Sequence, residues 1–255
     1  MKAAQVACKR VLVIGGCGYV GHLLAEQMHD CGPYHEGQWF PFDKQGPHGC
    51  SWQRLAQLQG DVTRFSDLWF AMKATDSVVY MAEGKLSDTA DLFAVSAHGV
   101  YNALMAARSQ GVRRFILVSS LSVFSDEQGG ISSVRDFDED AQPCCDHPDA
   151  VTALNSEMIC EHFAKAFGMS IVALRLSGPR PDAKLRKDRA ESNVRDPDDT
   201  LWSATAASDI LSALYAAVDL RDHTGFDVVN ICGDLTGARV NLDKAKRLLG
   251  WEPTI

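Results

Sequence analysis

Three glycines at regular spacing follow directly on a short apolar run. The run is VLVI at residues 11–14, and the glycines belong to GGCGYVG at residues 15–21, with the spacing Gly-x-x-Gly-x-x-Gly. In such a segment the first glycine permits a sharp turn after a strand, the second lets the backbone approach a pyrophosphate, and the third lets a helix pack on the sheet. Because a helix start presents free N–H groups and a partial positive charge, the segment predicts a phosphate site. The residues predicted to form it are Gly15, Gly18, Tyr19, Val20 and Gly21.

An acidic residue ends the second strand-like segment. Asp43 follows the apolar run WFPF at residues 39–42 and lies 22 residues after Gly21. A carboxylate at this place can accept hydrogen bonds from both ribose hydroxyls of NAD, and it repels the 2′-phosphate of NADP. Lys44 beside it keeps NADP open as the alternative. The two motifs together predict a site for NAD, against the simpler interpretations of a tight turn without a ligand and an ordinary loop acid.

Strand-length apolar segments alternate with helical patterns along most of the chain. The predicted strands span 10–15, 39–42, 77–82, 115–120, 170–176 and 226–231, and the predicted helices span 18–30, 65–74, 92–111, 151–167, 207–220 and 241–250. Apolar strands separated by helices are typical of a parallel sheet covered on both faces. We therefore predict an α/β fold, a Rossmann-like doubly wound parallel sheet that binds ligands beyond the carboxyl ends of its strands. Residues 1–175 are predicted to form the dinucleotide-binding domain, and residues 176–255 a short C-terminal substrate segment packed on it as one globular unit.

Charge and hydropathy exclude several classes of function. The chain has 255 residues and a net charge of −8, which argues against a general nucleic-acid binder and against binding to anionic membranes. The basic run KLRKDR at 184–189 is short and is interpreted as a solvated loop. No apolar stretch reaches the roughly 18 residues of a membrane span, and the first apolar run is too short for a signal peptide. We therefore predict a cytoplasmic protein with no nucleic-acid or membrane partner.

The eight cysteines show neither the spacing of a zinc site nor a Cys-x-x-Cys pair. We therefore predict reduced thiols and no metal site. Cys17 lies at the predicted helix start, where a thiol pKa falls, but an inert loop cysteine is the simpler interpretation. The adjacent Cys144 and Cys145 could be redox-active, although ordinary thiols are expected there as well.

Longer segments of the chain carry a resemblance to a known family. They are GDVTRFSDLWFAMKATDSVVYMAE at 60–83, HGVYNALMAARSQGVRRFILVSSLSVF at 98–124 and ALRLSGP at 173–179. Together with the glycine segment, they resemble the extended short-chain dehydrogenase/reductase family, also called the NAD-dependent epimerase/dehydratase family. The resemblance covers nearly the whole chain. The length and the ending LGWEP are most similar to the short sugar-acid dehydrogenases of that family.

The resemblance implies further contacts with the cofactor and a partner. Asp61 and Val62 would border the adenine, and Met81 and Ala82 would line the cofactor. In this family the long helix, here 92–111, and the helix after the fifth strand pair across a two-fold axis, so a homodimer is implied. A small anionic or sugar-like molecule is the implied class of ligand.

The residues that perform the chemistry of the family are replaced in this chain. The family uses a Tyr-x-x-x-Lys motif, in which the lysine and the cofactor charge lower the tyrosine pKa from about 10 toward neutrality. The segment ALNSEMICE aligns with this motif and places Ala153 at the tyrosine and Glu157 at the lysine. A shifted alignment does not restore it, because residues 102–214 contain no tyrosine and residues 86–164 contain no lysine. Ser120 matches the substrate-binding serine of the family, with a serine that only ends a strand as the alternative.

Glu157 reverses the charge of the lysine position. Its carboxylate could accept hydrogen bonds from the nicotinamide ribose and favour the oxidised, positively charged nicotinamide, and an exposed helix glutamate is the alternative. Ser96 stands where the family often has an asparagine. Four residues just upstream of the motif could supply a substitute acid or base, and they are Cys144, Cys145, Asp146 and His147. Ordinary loop residues without a catalytic role are nevertheless the expected interpretation.

Three functions remain open. The first is a dinucleotide-binding protein without the redox chemistry of the family, which would act as a sensor, regulator or scaffold. The second is an active NAD(P)-dependent oxidoreductase with a different proton donor, or with substrate-assisted protonation. The third is an interaction protein without a ligand, which we rank last because the glycines and Asp43 are present. Four cations could contact an anionic substrate, and they are Arg175, Arg180, Arg186 and Lys187. Charges exposed to solvent are the simpler interpretation of these residues.

Overall fold

Seven parallel strands form one sheet in the computed structural model, which describes residues 9–30, 39–46, 52, 57–85, 87–125, 138–144, 147–191 and 200–255. The strands are β1 (Val11–Ile14), β2 (Trp39–Asp43), β3 (Leu58–Gln59), β4 (Ser77–Tyr80), β5 (Arg114–Ser120), β6 (Ser170–Leu176) and β7 (Gly225–Ile231). Their order across the sheet is β3-β2-β1-β4-β5-β6-β7. The chain therefore reverses its direction of travel between β1 and β4, and a reversal of this kind opens a crevice beyond the carboxyl ends of the strands.

Helices cover both faces of the sheet. They are α1 (Tyr19–Asp30), α2 (Phe65–Ala71), α3 (Thr89–Phe93), α4 (Val100–Gln110), α5 (Pro148–Phe167), α6 (Asp182–Glu191), α7 (Ala207–Asp219) and α8 (Asp243–Leu249), with a π-helix (Ala94–Gly99) between α3 and α4. One core cluster joins α1, α7 and α8 to one face, and a second joins α2, α4 and α5 to the other. Burial on both faces explains why the strands are apolar throughout. The predicted doubly wound α/β fold is confirmed.

The C-terminal segment is built into the same sheet. β7 pairs with β6 along its whole length, and α7 lies beside α1. Asp209, buried in the first turn of α7, accepts hydrogen bonds from the backbone N–H groups of Thr254 at 3.0 Å and Ile255 at 3.2 Å. The segment therefore shares its core with the rest of the chain, and the predicted boundary at residue 175 falls within β6.

Two elements differ from the sequence-based expectation. The basic run at 184–189 is not a loop but lies in α6, where Leu185 is fully buried and Arg189 donates to three backbone carbonyl oxygens at 2.8–3.2 Å. The single helix predicted at 92–111 is interrupted by the π-helix, a local widening that is frequent at functional sites.

Hydropathy along the helices gives one further result. Over the described ranges, none of the helices combines the length and the apolar character needed to cross a membrane.

Candidate functional site

A cavity of about 790 Å³ opens beyond the carboxyl ends of β1, β2, β4, β5 and β6. Most of the predicted cofactor contacts line it, and they are Gly15, Gly18, Tyr19, Val20, Asp43, Asp61, Val62, Met81 and Ala82. Ser120 and Ala153 line the same cavity, whereas Gly21 and Glu157 do not. The crevice that the strand order opens is therefore the place where the sequence motifs meet.

The glycine segment forms a tight loop that suits a phosphate group. Gly15 has a left-handed φ of +84°, and a Cβ there would lie 2.5 Å from the backbone nitrogen of Ala82. At Gly21 a Cβ would lie 2.1 Å from the carbonyl oxygen of Gly16, so this glycine serves the packing of α1 on the loop rather than contact with a ligand. α1 begins at Tyr19, and the N–H groups of its first turn have no partner within the helix. The loop and helix start are therefore a cradle into which a phosphate fits.

Two carboxylates line the side of the cavity next to β2 and β3. Asp43 Oδ2 accepts a hydrogen bond from the N–H of Cys17 at 3.0 Å, which holds this acid against the glycine loop. Asp61 accepts hydrogen bonds from the N–H of Thr63 at 2.9 Å and from its hydroxyl at 2.7 Å, and pairs with Lys44 at 3.0 Å. Although burial opposes the charge, the hydrogen bonds from Thr63 and the Lys44 ammonium lower the pKa of Asp61 to about 2. Both carboxylates are thus held in fixed positions, as recognition of ribose hydroxyls requires.

Hydroxyl groups line the opposite side, next to β5 and α5. The Ser120 hydroxyl accepts a hydrogen bond from the N–H of Ser122 at 3.1 Å, which leaves its own hydrogen for a ligand. Ser96 and Ser122 also line the cavity, but their hydroxyl oxygens are buried and have no hydrogen-bond partner among the residues that the structure describes. Ser96 belongs to the π-helix, where the carbonyl of Val95 accepts a hydrogen bond from the hydroxyl of Tyr80 at 2.7 Å. The sequence pattern predicted a regular helix here and gave no indication of the π-helix that carries Ser96.

Ala153 and Glu157 both lie on α5 but have different surroundings. Ala153, which the sequence resemblance aligns with the family's tyrosine, lines the cavity with its methyl group. Glu157 is only 3% exposed and is engaged with the sheet. Its two carboxylate oxygens accept hydrogen bonds from Arg175 on β6, at 2.9 Å from Nε and 2.8 Å from Nη2. The Ser119 hydroxyl donates a third hydrogen bond to this carboxylate, at 2.6 Å.

This ion pair lies over a row of polar residues that crosses three strands. Ser119, Arg175 and Asn230 are register partners on β5, β6 and β7, and all three are buried. The Arg175 guanidinium also lies 4.9 Å from the centre of the Phe124 ring. A bidentate pair with additional hydrogen bonds is the arrangement in which two buried charges compensate each other, and removing either partner leaves the other uncompensated.

The geometry corrects several expectations about charged residues. Glu157 is not an exposed helix glutamate, and because its carboxylate is committed to Arg175 and Ser119, we leave it out of the proposed cofactor site. Arg175 is likewise unavailable to an anionic substrate. The other candidates that do not line the cavity are Arg180, Arg186, Lys187, Cys144 and His147. Cys145 and Asp146 lie outside the described residues.

Three carboxylates in the cavity escaped the sequence-based prediction, and they are Glu83, Asp91 and Asp149. Glu83 follows β4 directly after Ala82, and Asp149 lies in the first turn of α5, four residues before Ala153. The Glu83 side chain is accessible from the open cavity, but burial by its walls and the charge of Asp149 raise the pKa of its carboxyl group. Asp149 could have been found from its i, i+4 spacing to Ala153, which places both on one side of the helix. Glu83 could have been found as a charged residue that follows directly on an apolar strand segment.

One cysteine departs from the predicted reduced state. Cys17, in the glycine loop, is disulfide-bonded. Cys144, Cys160 and Cys232 carry reduced thiols, and burial raises the pKa of the Cys160 and Cys232 thiols, that of Cys232 to about 12. Within the described ranges, no three His, Cys, Asp or Glu side chains are grouped so as to hold a metal ion.

Comparison with known proteins identifies the family. Residues 11–190 match the model of the NAD-dependent epimerase/dehydratase family. This match spans more than half of the chain, so the protein belongs to that family, and the resemblance inferred from the sequence motifs is confirmed. The family is NAD-dependent, which confirms the predicted cofactor at the level of the family.

Individual relatives are more distant. An uncharacterized chloroplastic protein of Arabidopsis thaliana is 24% identical over 237 residues, which cover 89% of this chain and 77% of that protein. A 3β-hydroxysteroid dehydrogenase/Δ5→4-isomerase of Mycobacterium tuberculosis is 34% identical over 124 residues, which cover 45% of this chain and only 32% of that enzyme.

Solved structures share the fold at low identity. UDP-glucose 4-epimerase from Brucella ovis in complex with NAD has a TM-score of 0.75 and 19% identity, over 96% of this chain and 94% of that chain. MoeE5 in complex with UDP-glucuronic acid and NAD has a TM-score of 0.71 and 23% identity, over 96% of this chain and 94% of that chain.

The buried ion pair predicts a large effect on stability at position 157. Glu157→Lys sets an ammonium group against the Arg175 guanidinium in a place that excludes water, so we expect the free energy of unfolding to fall by about 3–5 kcal/mol. Urea denaturation followed by circular dichroism measures the change. The matched control is Glu161→Lys on the exposed side of the same helix, where Glu161 pairs with Lys165, and it should cost less than about 1 kcal/mol. Equally small losses in both variants would show that the pair does not anchor α5.

Proposed function

We propose that this protein binds NAD in the cavity and does not use the tyrosine–lysine proton relay of its family. The observation that carries the proposal is a contrast within one cavity. The glycine loop and Asp43 line it, while Ala153 replaces the tyrosine and Glu157 is tied to Arg175. A protein of this kind would sense the dinucleotide, regulate a partner or serve as a scaffold.

In this proposal, the two halves of the cofactor lie on opposite sides of the cavity. The pyrophosphate would lie on the N–H groups at the start of α1, beside Gly15 and Gly18. The adenosine half would extend toward Asp43 and Asp61, and the nicotinamide half toward Ser120. When bound, NAD would supply a hydride acceptor, or a hydride donor in its reduced form.

The tyrosines that line the cavity do not replace the missing relay. Among the described lining residues they are Tyr19 and Tyr80. The Tyr19 hydroxyl donates to the carbonyl oxygen of Pro179 at 3.2 Å, so it links α1 to the loop after β6. The Tyr80 hydroxyl donates to a carbonyl of the π-helix, and burial raises its pKa, which is opposite to the shift that a base requires. Proton transfer by a phenolate therefore has no carrier in this part of the site.

The first test is binding of NAD⁺, NADH and NADPH to the purified protein, measured by calorimetry and thermal unfolding. A ligand present at 100 times its dissociation constant should add about 2.7 kcal/mol to the free energy of unfolding. Gly18→Asp should weaken binding at least about tenfold, because it places a carboxylate beside the phosphates. A Cβ at Gly18 meets only the carbonyl oxygen of Gly15, at 3.2 Å, so the loop should keep its shape.

The control for this variant is Gly237→Asn, at a glycine with φ +61° and no neighbouring atom within 4 Å of an added Cβ. It should bind as the unmodified protein does. If none of the dinucleotides binds, the proposal is wrong, and an interaction protein without a ligand becomes the better hypothesis.

An oxidoreductase with a carboxyl proton donor is the second candidate function. The observation in its favour is Glu83, which lies in the cavity with Ser120 and whose pKa is raised by burial and by the charge of Asp149. A carboxyl group with a raised pKa can hold a proton closer to neutral pH and release it to a ligand. Reduction of an acidic or conjugated substrate suits this group better than removal of a proton from a sugar hydroxyl.

This second candidate predicts a pH-dependent reaction. With NADH and a panel of sugars, uronates, quinones and tetrapyrroles, turnover should fall as the pH rises through the pKa of Glu83, since the donor loses its proton. Glu83→Gln should lower the rate about a hundredfold or more, and Glu161→Gln should leave it unchanged. Absence of turnover across the panel, followed by absorbance at the nicotinamide band, would exclude this function.

We also infer that the protein is a homodimer joined through α4 and α5. Support comes from exposed apolar side chains on these helices, including Tyr101 at 48% and Met158 at 62% exposure. Met158→Glu should therefore shift the mass measured by light scattering toward that of a monomer, because it buries a charge in the interface. Phe70→Glu on α2, where Phe70 is 63% exposed, is the control and should leave the mass unchanged. A monomeric unmodified protein would refute the dimer.

The class of a second ligand and the cellular location also stay proposals. A small sugar-like or anionic molecule beside Ser120 is supported by the fold shared with an enzyme solved with UDP-glucuronic acid. The cytoplasmic location remains a prediction from the sequence.

A further inference from the structure

The negative charges of the cavity are compensated at one end and not at the other. Asp43 accepts N–H hydrogen bonds, Asp61 pairs with Lys44, and Asp91 at the rim accepts the N–H of Lys85 at 2.8 Å. These groups lie on the side assigned to adenosine or at the rim of the cavity. They have donors that offset their charge.

The opposite end holds Glu83 and Asp149, whose carboxylates have no hydrogen-bond or ion-pair partner among the described residues. The two side chains are close enough for the charge of Asp149 to act on Glu83. The cation on β6, Arg175, donates to Glu157 from Nε and Nη2 and to the carbonyl oxygen of Glu139 from Nη1, and its charge is compensated by Glu157. Lys85 lies at the exposed rim, and it is not among the groups that shift Glu83.

We propose that Glu83 and Asp149 make this cavity select the oxidised dinucleotide NAD⁺ over NADH. The inference rests on the proposed function, because it requires a dinucleotide whose nicotinamide half reaches Ser120. The two forms differ in charge at the nicotinamide ring, which is positive in NAD⁺ and neutral in NADH, while their phosphates and riboses are the same. The ratio of their affinities therefore reports the electrostatic potential at this end of the cavity. Two uncompensated carboxylates favour the positive ring.

The selection has a defined dependence on pH. Glu83 lines the cavity together with Asp149, and burial and the charge of Asp149 raise the pKa of Glu83. Above that pKa the Glu83 carboxylate is charged and its contribution to the preference is complete. As the pH falls through it, one negative charge is lost and the preference decreases.

The experiment is calorimetric titration of the purified, unmodified protein with NAD⁺ and with NADH, at pH 8.0 and at pH 5.5, where the choice of pH follows the ordinary range of carboxyl pKa values raised by burial. We expect NAD⁺ to bind about tenfold more tightly at the higher pH, with a clear decrease of the ratio at the lower pH. Glu83→Gln and Asp149→Asn should each reduce the ratio at pH 8.0. Glu161→Gln removes a carboxylate from the outer side of α5 and should leave the ratio unchanged.

The outcomes separate this inference from the proposed function. Equal affinities for NAD⁺ and NADH at pH 8.0 would overturn the selection while the protein remains a dinucleotide binder. Failure of both to bind would overturn the proposed function and the selection with it. The pH series on the unmodified protein decides the matter even if a variant fails to fold, since a ratio that does not change with pH excludes a role for Glu83.

Discussion

The bidentate ion pair between Glu157 and Arg175 is the interaction on which the rest of this site depends. It joins α5 to β6, and the Ser119 hydroxyl adds a hydrogen bond from the neighbouring strand β5. Both charges are buried, so each is tolerated only because the other is present. The pair thereby fixes the helix whose cavity-facing side carries Asp149 and Ala153. It also removes a carboxylate and a guanidinium from the ligand-binding space, although the sequence alone suggests both for it.

The electrostatics of the cavity follow from this pairing. Because the Glu157 carboxylate neutralises the Arg175 guanidinium, Arg175 contributes little positive potential to the end of the cavity next to α5. The glycine loop and the start of α1 provide the positive end of a helix for phosphate groups. Glu83 and Asp149 leave a negative potential at the end of the cavity next to α5. We propose that a cavity with these two ends holds a dinucleotide without the cation that lowers the pKa of a phenol in the usual mechanism of the family.

The sequence predicted the fold and the glycine loop at the start of α1 well, because both depend on local patterns. A short stretch of sequence is enough to recognise an apolar strand, a helical pattern, or the spacing of Gly15, Gly18 and Gly21. The buried ion pair of Glu157 could not be predicted from the sequence. Its partner Arg175 lies on another element, and only the fold brings the two side chains together. The π-helix and α6 were also missed. The first has the same apolar pattern as a regular helix, and the second is a highly charged helix that is anchored by Leu185 and by the carbonyl contacts of Arg189.

We propose that the replacement of the lysine, which the family resemblance implies for position 157, is more than the loss of one catalytic group. A lysine placed at position 157 in this structure would meet Arg175 in a buried site, where like charges are strongly unfavourable. Under this proposal, a return to the chemistry of the family would require a tyrosine at 153, a lysine at 157 and a different environment for Arg175 at the same time. A lysine alone would lower stability, and a tyrosine alone would place a phenol in the cavity without its cation, so neither change would restore the relay. The structural role of the Glu157 carboxylate would thus be the physical reason why a dinucleotide site persists without the catalytic pair.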